Sequence, residues 1–309
     1  MNTVSAKLSA FLEQVTIARK QALQKGIKPS PALARSNMEN LSAMNGKGPD
    51  IRYISDGSFF VETDSRTEIP FRIYSPDPTA KLPVILHFHG GGHMCGDLDI
   101  YDAISRRMAK HTNSIVITLD YRLAPEYPYP AAIEDCKFLL SHYKSLLGSV
   151  GFEDKLILAG DSAGAALTAT LSASAQSNCH ISEQILLYPS LDYTMEHPSI
   201  DIYRSGYLLE KQSIAWYFDN YLQHGEDRNK VSPLFMPVPE SMSETLIMVA
   251  NCDPLQDEAY AYAEKLRNAG VPVQLNVFAG MVHGFLLLNT LAEEEGNQVY
   301  KLMNEFING

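Results

Sequence analysis

Short apolar runs alternate with longer amphipathic stretches along most of this chain. Two alternating stretches and six apolar runs predict strands at residues 57–62, 67–74, 84–89, 114–120, 155–160, 183–189, 244–250 and 271–278. Helical spacing of apolar residues predicts helices between them at about 100–111, 130–147, 163–177, 255–269 and 290–307. Continuous apolar strands are typical of a parallel sheet covered by helices on both faces. The pattern therefore predicts a doubly wound α/β fold preceded by two antiparallel strands.

Two segments lie outside this alternation. Residues 1–50 begin with the pattern of an amphipathic helix, which lacks the uninterrupted apolar stretch of a signal peptide, and end rich in Gly and Asn. Residues 190–240 follow a strand but are aromatic and polar. We expect both segments to form a helical cap over the carboxyl edge of the sheet, with residues 51–189 and 241–309 as the main α/β domain.

Composition and charge narrow the function classes. The 309 residues are 45% hydrophobic and 20% charged, as in ordinary globular proteins. With 25 basic and 36 acidic residues the net charge is −11, which disfavours nucleic acid and anionic membrane surfaces as partners. The sequence lacks an apolar run of the roughly 18 residues that a spanning helix needs, so we expect no membrane insertion. The four cysteines are scattered, without metal-binding or disulfide-rich spacing, which favours a cytoplasmic location; they are Cys95, Cys136, Cys179 and Cys252.

One hydroxyl lies where a predicted strand changes abruptly into a helix. In KLILAGDSAGAALTATLSASA, Gly160 and Gly164 flank Ser162 at spacing G-x-S-x-G. A sharp strand-to-helix turn brings backbone segments so close that only glycine fits, and it exposes the serine at its tip. The alternative is that Ser162 only caps the helix. The context favours a nucleophile elbow.

A serine nucleophile needs a base, and the base needs a carboxylate. His283 follows the last predicted strand in a loop flanked by glycines, and Asp253 directly follows the strand ending at 250. Both positions therefore point to the carboxyl edge of the sheet. Asp253 precedes Pro254 and also fits a helix N-cap, and Asp257 is a weaker rival for the carboxylate role. The chain order Ser162, Asp253, His283 is that of an α/β-hydrolase triad.

A glycine-rich loop after the strand 84–89 offers donors for a developing oxyanion. His89 is followed by three glycines, and we expect the amides of Gly91, Gly92 and Ala163 to form an oxyanion hole. The alternative is a metal site of His87, His89 and His93, which the absence of a carboxylate at matching spacing disfavours. We expect no metal, with His89 supporting the loop and His93 lining the pocket.

The motifs, in this order, resemble those of the hormone-sensitive-lipase-like carboxylesterases (bacterial family IV type) of the α/β-hydrolase superfamily. The resemblance covers roughly residues 55–308 and rests on H-G-G-G at 89–92, D-Y-R-L-A-P-E at 120–126, G-D-S-A-G at 160–164, D-P-L at 253–255 and H-G-F at 283–285. It implies an eight-stranded sheet, a helical cap and hydrolysis of short-chain acyl esters through an acyl-enzyme, without cofactor. Members are commonly bacterial, cytosolic and often dimeric. His93 departs from the family, in which Phe or Trp often follows the glycines.

Three questions stay open at this level. The superfamily also contains non-enzymatic receptors, which the intact set of triad residues disfavours, and serine peptidases or amidases, which share the chemistry. Tyr188 and Tyr207 are further candidates for the substrate pocket, although Tyr207 and the aromatic residues 216–218 fit a cap core better. Tyr121 and Arg122 are expected to brace the loop that carries His89 rather than to bind an anion.

Overall fold

A single eight-stranded sheet forms the centre of the protein. The computed structural model describes residues 2–62, 66–174 and 180–309. The strands are β1 (Tyr53–Glu62), β2 (Arg66–Ser75), β3 (Leu82–Phe88), β4 (Ile115–Leu119), β5 (Phe152–Asp161), β6 (Glu183–Leu187), β7 (Glu244–Cys252) and β8 (Val273–Val282). Their order across the sheet is β1-β2-β4-β3-β5-β6-β7-β8.

The sheet is antiparallel at one edge and parallel elsewhere, as the two kinds of hydrophobic pattern predict. β1 pairs antiparallel with β2, and β2 with β4, whereas β3 to β8 are all parallel. Because β4 and β5 lie on opposite sides of β3, the loops that follow β3 and β5 leave in different directions and open a crevice at the carboxyl edge.

Helices cover both faces of this sheet. They are α1 (Ala6–Gln24), α2 (Pro31–Ser42), α3 (Asp102–Thr112), α4 (Ala131–Leu146), α5 (Ala163–Ser174), α6 (Pro198–Ile202), α7 (Lys211–Tyr221), α8 (Arg228–Val231), α9 (Gln256–Asn268) and α10 (Glu293–Asn308). Alternate residues of each strand face different helix layers: Ile85 packs with α3 and α10, whereas Val84 and Leu86 pack with α4 and α5. Each such fully buried side chain contributes about 1.5–3 kcal/mol of transfer free energy. The predicted α/β-hydrolase fold is confirmed.

Element ends differ from prediction where pairing, not apolarity, decides them. β8 continues past the apolar run to Val282, because its pairing with β7 resumes at Cys252 opposite Val282 after an irregularity. In the described residues α5 ends at Ser174, and the last part of the helix predicted to reach 177 lies outside them.

The N-terminal helices and the segment between β6 and β7 lie together at the carboxyl edge. Leu8 and Leu12 of α1 pack in the same core cluster as Tyr203, and Arg19 forms an ion pair with Glu210 at 3.1 Å. Arg35 of α2 donates to the Met94 carbonyl in the loop after β3. These contacts connect both segments to the loops of the sheet edge.

Over the described part of the chain, no helix combines the length and apolar character needed to cross a membrane.

Candidate active site

Ser162 occupies a sharp turn between β5 and α5. Its φ of 53° lies in the left-handed region that L-residues rarely adopt. A Cβ on Gly160 would overlap the carbonyl of Gly164, and one on Gly164 would overlap the carbonyl of Phe88. The two flanking glycines are therefore required by close backbone approach, as the G-x-S-x-G spacing predicts.

Three side chains from separate loops form one hydrogen-bonded series. His283 Nε2 lies 2.8 Å from Ser162 Oγ, and His283 Nδ1 lies 2.7 Å from Asp253 Oδ2. Asp253 and His283 are 1% and 8% exposed, and Ser162 is only partly buried, so its hydroxyl is accessible. With the ring proton on Nδ1, Nε2 is free to accept the serine proton. Although Ser162 directly precedes α5, its Oγ contacts the histidine, which answers the helix-cap alternative.

The two candidate acidic residues, Asp253 and Asp257, make different contacts. Asp257 accepts a hydrogen bond from the Ser199 amide at 2.9 Å. The position of Asp253 before Pro254 suggested that it caps α9, but it does not. The helix begins later, at Gln256, and Asp253 Oδ1 instead accepts from the Leu255 amide at 2.9 Å, in a turn that precedes the helix.

The glycine loop and the start of α5 contain amides without an acceptor among the described residues. Gly91 and Gly92 have φ of 120° and 63°, and a Cβ on Gly91 would overlap the Cys95 carbonyl. Among the described residues, none accepts a hydrogen bond from the amides of Gly91, Gly92 or Ala163. Tyr217 of α7 packs on Gly92, with a ring carbon 2.7 Å from where a Cβ would lie. Thus Tyr217, expected in the cap core, borders the loop.

Each of the three histidines of this region contacts a different neighbouring group. His87 Nδ1 lies 3.3 Å from Thr118 Oγ1, His89 Nδ1 donates to the Gly90 carbonyl at 2.8 Å, and His93 stacks on Tyr221. Burial lowers the pKa of all three, to about 3 for His87 and His93 and to about 4 for His89. Within the described ranges, no group of three His, Cys, Asp or Glu side chains could hold a metal ion.

The D-Y-R-L-A-P-E block packs beneath the glycine loop. Tyr121 donates its hydroxyl to the His89 carbonyl at 2.6 Å and stacks on the His89 ring at 4.4 Å. The Arg122 guanidinium lies 2.8 Å from buried Asp135 and also contacts Glu134, so it is neutralised by carboxylates of α4. This geometry matches a bracing role and leaves Arg122 engaged away from the site.

Asp161, for which the sequence motif predicted no role, links the serine turn to the glycine loop. Its Oδ1 accepts from the Gly90 amide at 2.7 Å, and its Oδ2 accepts from the Tyr101 hydroxyl at 3.0 Å. Tyr188, whose hydroxyl lies 3.4 Å from the same oxygen, packs edge-on against the His283 ring at 5.1 Å. Burial raises the pKa of Asp161 to about 6, with the tyrosine and amide hydrogen bonds acting against that shift. The sequence signal that could have identified Asp161 is an acidic residue at the end of a buried strand, directly before the serine nucleophile.

Replacing Asp161 with asparagine is expected to lower kcat by about 10²-fold with little change in KM, because misplaced oxyanion donors act only on the transition state. Asparagine keeps the size but puts an NH2 group where one oxygen now accepts from Gly90 or Tyr101. Initial rates over a range of ester concentrations measure both constants. The control is Asp120→Asn, which removes a carboxylate 4.0 Å from His89 Nε2 and is expected to change kcat less than threefold. Equal losses in both variants contradict the prediction.

The candidate pocket residues differ in their positions. His93 and Tyr188 are only 1% and 2% exposed, so neither presents its side chain to solvent. Both pack against neighbouring aromatic rings instead. Tyr207 is half-buried and packs edge-on against Tyr203 at 5.0 Å. Of the three, only Tyr207 has a side chain with appreciable access.

His93→Phe is expected to make the protein more acid-resistant. The His93 pKa is lowered to about 3 in the fold, whereas an unfolded histidine titrates near about 6.5. Below that value the unfolded chain binds the extra proton, so stability is lost as pH falls. At pH 5 this cost is about 2 kcal/mol, which phenylalanine removes.

Denaturant unfolding of wild type and His93→Phe at pH 8 and pH 5 measures this difference. On going from pH 8 to pH 5, the free energy of unfolding of the variant is expected to rise by about 2 kcal/mol relative to that of wild type. Loss of the contact with Tyr193 changes the stability by the same amount at both pH values and therefore does not affect this comparison. The exposed His224→Gln is the control. Parallel pH curves for wild type and His93→Phe contradict the assignment of a neutral buried ring.

Together, the elbow, the hydrogen-bonded Ser-His-Asp series and the glycine loop at the carboxyl edge of this sheet are the features of an α/β-hydrolase. The comparisons agree: the profile of the alpha/beta hydrolase fold family matches residues 85–287. The chain belongs to this family and, within the superfamily, to the hormone-sensitive-lipase-like carboxylesterases that its motifs resemble.

Individual relatives match along most of the chain. Ethyl acetate hydrolase of Pseudomonas putida is 33% identical over 306 residues, covering 94% of this chain and 95% of that protein. Arylesterase of Saccharolobus solfataricus is 34% identical over 226 residues, covering 71% and 73%. A solved ester hydrolase from the metagenome of Lake Arreo, in complex with a bipyridine phosphonate derivative, superposes with a TM-score of 0.88 at 27% identity, covering 99% and 98%.

Proposed function

We propose that Ser162, His283 and Asp253 hydrolyse short-chain carboxylic esters through a covalent acyl-enzyme. The broader class is given by family and relatives: the chain is a serine carboxylic ester hydrolase. The observation that carries the residue roles is the series Asp253–His283–Ser162, with contacts of 2.7 and 2.8 Å, at an accessible elbow.

In the acylation step, Ser162 Oγ forms a bond to the ester carbonyl carbon while its proton passes to His283 Nε2. Asp253 accepts from Nδ1 and stabilises the imidazolium that forms. The tetrahedral intermediate then breaks its bond to the alcohol oxygen, which takes the proton from Nε2 and leaves. Ser162 is left as an acyl ester, and His283 is neutral again.

Deacylation repeats the same proton movements with water. His283 Nε2 takes a proton from a water molecule, whose oxygen attacks the acyl carbon. When the second tetrahedral intermediate breaks, Ser162 Oγ leaves and recovers the proton from Nε2. The products are a carboxylic acid and the original serine, so one water is consumed for each ester cleaved.

The negative oxygen of both intermediates is stabilised by the amides of Gly91, Gly92 and Ala163. What supports this role is that the three amides lie in the loop after β3 and at the start of α5 and donate to no acceptor among the described residues. A preorganised donor of this kind contributes about 2.7–4 kcal/mol to transition-state stabilisation.

A chain-length series tests the proposal. Initial rates on p-nitrophenyl esters from acetate to palmitate are expected to be highest for short acyl chains, since Tyr217 covers Gly92 beside the donors. The matched p-nitroanilide of the best acyl group is expected to react far more slowly. Activity confined to long chains overturns the short-chain proposal, and a faster anilide reaction indicates an amidase.

A further inference from the structure

Charge is unevenly distributed along this acidic protein. Residues 14–38, from the middle of α1 into α2, contain five of the 25 basic residues and none of the 36 acidic residues. The five are Arg19, Lys20, Lys25, Lys28 and Arg35. A net charge of −11 thus conceals a purely cationic segment within the N-terminal helices.

The same segment exposes apolar side chains. Four of the nine large hydrophobic residues that are exposed among the described residues belong to it: Ile17 (48%), Leu23 (75%), Ile27 (48%) and Leu33 (37%). Ile17, Lys20 and Leu23 follow one another at intervals of three and are therefore neighbours on the surface of α1. Apolar and cationic side chains share one surface.

Two of the five cations are engaged within the fold, and three are not. Arg19 contacts Glu210 and the Leu208 carbonyl, and Arg35 contacts Glu126 and the Met94 carbonyl. Lys20, Lys25 and Lys28 are exposed and form no ion pair with any residue that the structure describes. We define the cap tip as Ile17, Lys20, Leu23, Lys25, Ile27 and Lys28.

We propose that the cap tip is a docking surface for an anionic lipid bilayer. Apolar side chains that enter the headgroup boundary, flanked by lysines that meet anionic headgroups, form the pattern by which helices lie on membranes. A second copy fits less well, because a symmetric contact sets the lysines of one tip against those of the other. Nucleic acid also fits less well, because its phosphate backbone offers no apolar partner to Leu23, whose side chain is 75% exposed.

The cap tip is linked to the active site through the N-terminal segment. At its other end, the N-terminal segment contacts the loops of the site: Ser5 donates to the Gly280 carbonyl at 3.0 Å, and Asn2 donates to the Asn251 carbonyl at 2.7 Å. Those residues lie three and two positions before His283 and Asp253. A bilayer bound at the tip is therefore connected through α1 (Ala6–Gln24) to the loops that carry His283 and Asp253. The docking itself does not depend on the proposed hydrolysis.

Co-sedimentation of the full chain with vesicles tests the proposal. The probes are vesicles of phosphatidylglycerol and phosphatidylcholine in equal parts and vesicles of phosphatidylcholine alone. The test variant carries Lys20→Gln, Lys25→Gln and Lys28→Gln. The matched control carries Lys81→Gln, Lys110→Gln and Lys301→Gln, which replace three exposed lysines elsewhere in the chain, so the two variants have the same net charge. A Leu23→Ser, Ile27→Ser variant tests the apolar part.

Wild type and the control variant are expected to bind the anionic vesicles equally, with release by 0.5 M salt. The test variant is expected to bind about 100-fold more weakly, since each lysine near an anionic surface contributes about fivefold. The apolar variant is also expected to bind more weakly.

Equal binding by the test variant, equal binding to phosphatidylcholine alone, or no binding by wild type overturns the proposal. A dimer in solution that Leu23→Ser, Ile27→Ser dissociates overturns it in favour of a second copy. Because sedimentation needs no turnover, each result is independent of the esterase assignment.

Discussion

Ser162→Ala is expected to lower kcat on p-nitrophenyl acetate by about 10⁴–10⁶-fold, because it removes the hydroxyl that is proposed to form the acyl-enzyme. The hydroxyl is the only atom removed, and it contacts His283 Nε2 at 2.8 Å. The Ser162 amide still donates to the Leu187 carbonyl at 2.9 Å, and the left-handed φ is required of serine and alanine alike. The fold is therefore expected to persist.

Ser172→Ala is the matched control for this loss. Ser172 lies on α5 and is buried, and its Oγ has no hydrogen-bond partner within the described residues, so its removal is expected to leave kcat within twofold of wild type. Circular dichroism checks the fold of both variants. Intact-protein mass spectrometry after treatment with an organophosphonate is expected to show one adduct in wild type and in Ser172→Ala. If Ser162→Ala turns over ester at the wild-type rate, Ser162 is not the nucleophile.

Asp253→Asn is expected to lower kcat by about 10⁴-fold while leaving the geometry intact. The Asp253 carboxylate has two partners, the Leu255 amide on Oδ1 and His283 Nδ1 on Oδ2. Asparagine has only one oxygen; when it accepts from Leu255, its NH2 group faces Nδ1. The ring proton then moves to Nε2, where it blocks transfer from Ser162.

Asp257→Asn, four residues further along, is the control for Asp253→Asn. Asp257 accepts from Ser199 rather than from His283, so its replacement is expected to change kcat/KM by less than threefold. Steady-state rates of the two variants at pH 8, with unfolding midpoints to confirm folding, make the comparison. A larger loss in Asp257→Asn than in Asp253→Asn reverses the assignment of the carboxylate.

The fold was predictable because its pattern is local. Buried parallel strands are recognisable as continuous apolar runs, and every predicted run overlaps a strand of the described sheet. Strand ends were less predictable, since backbone pairing extends β8 to Val282, beyond the apolar residues. The start of α9 moved to Gln256 for a similar reason: Asp253 uses its side chain in a turn and in the contact with His283 instead of capping the helix.

The meeting of Ser162, Asp253 and His283 could be expected as well. Each follows a strand that apolar periodicity identifies, and parallel strands place their carboxyl ends at the same edge. The supporting groups were not predictable in this way. Tyr101 and Asp161 are 60 residues apart, and their hydrogen bond depends on how α3 and the loop after β3 pack above β5. The burial of His93 against Tyr221 depends in turn on where α7 lies.

The amino-acid sequence was sufficient to predict the α/β class, the strands whose ends carry the chemistry, the glycines of the elbow and the order of the candidate triad. These features follow from local periodicity and from backbone conformations that only certain residues adopt. The tertiary structure alone decided which carboxylate meets His283, which side chains hold the glycine loop, and which parts of the N-terminal helices remain exposed. Those properties arise from contacts between residues far apart in the chain, whose distances are set only when the elements pack together.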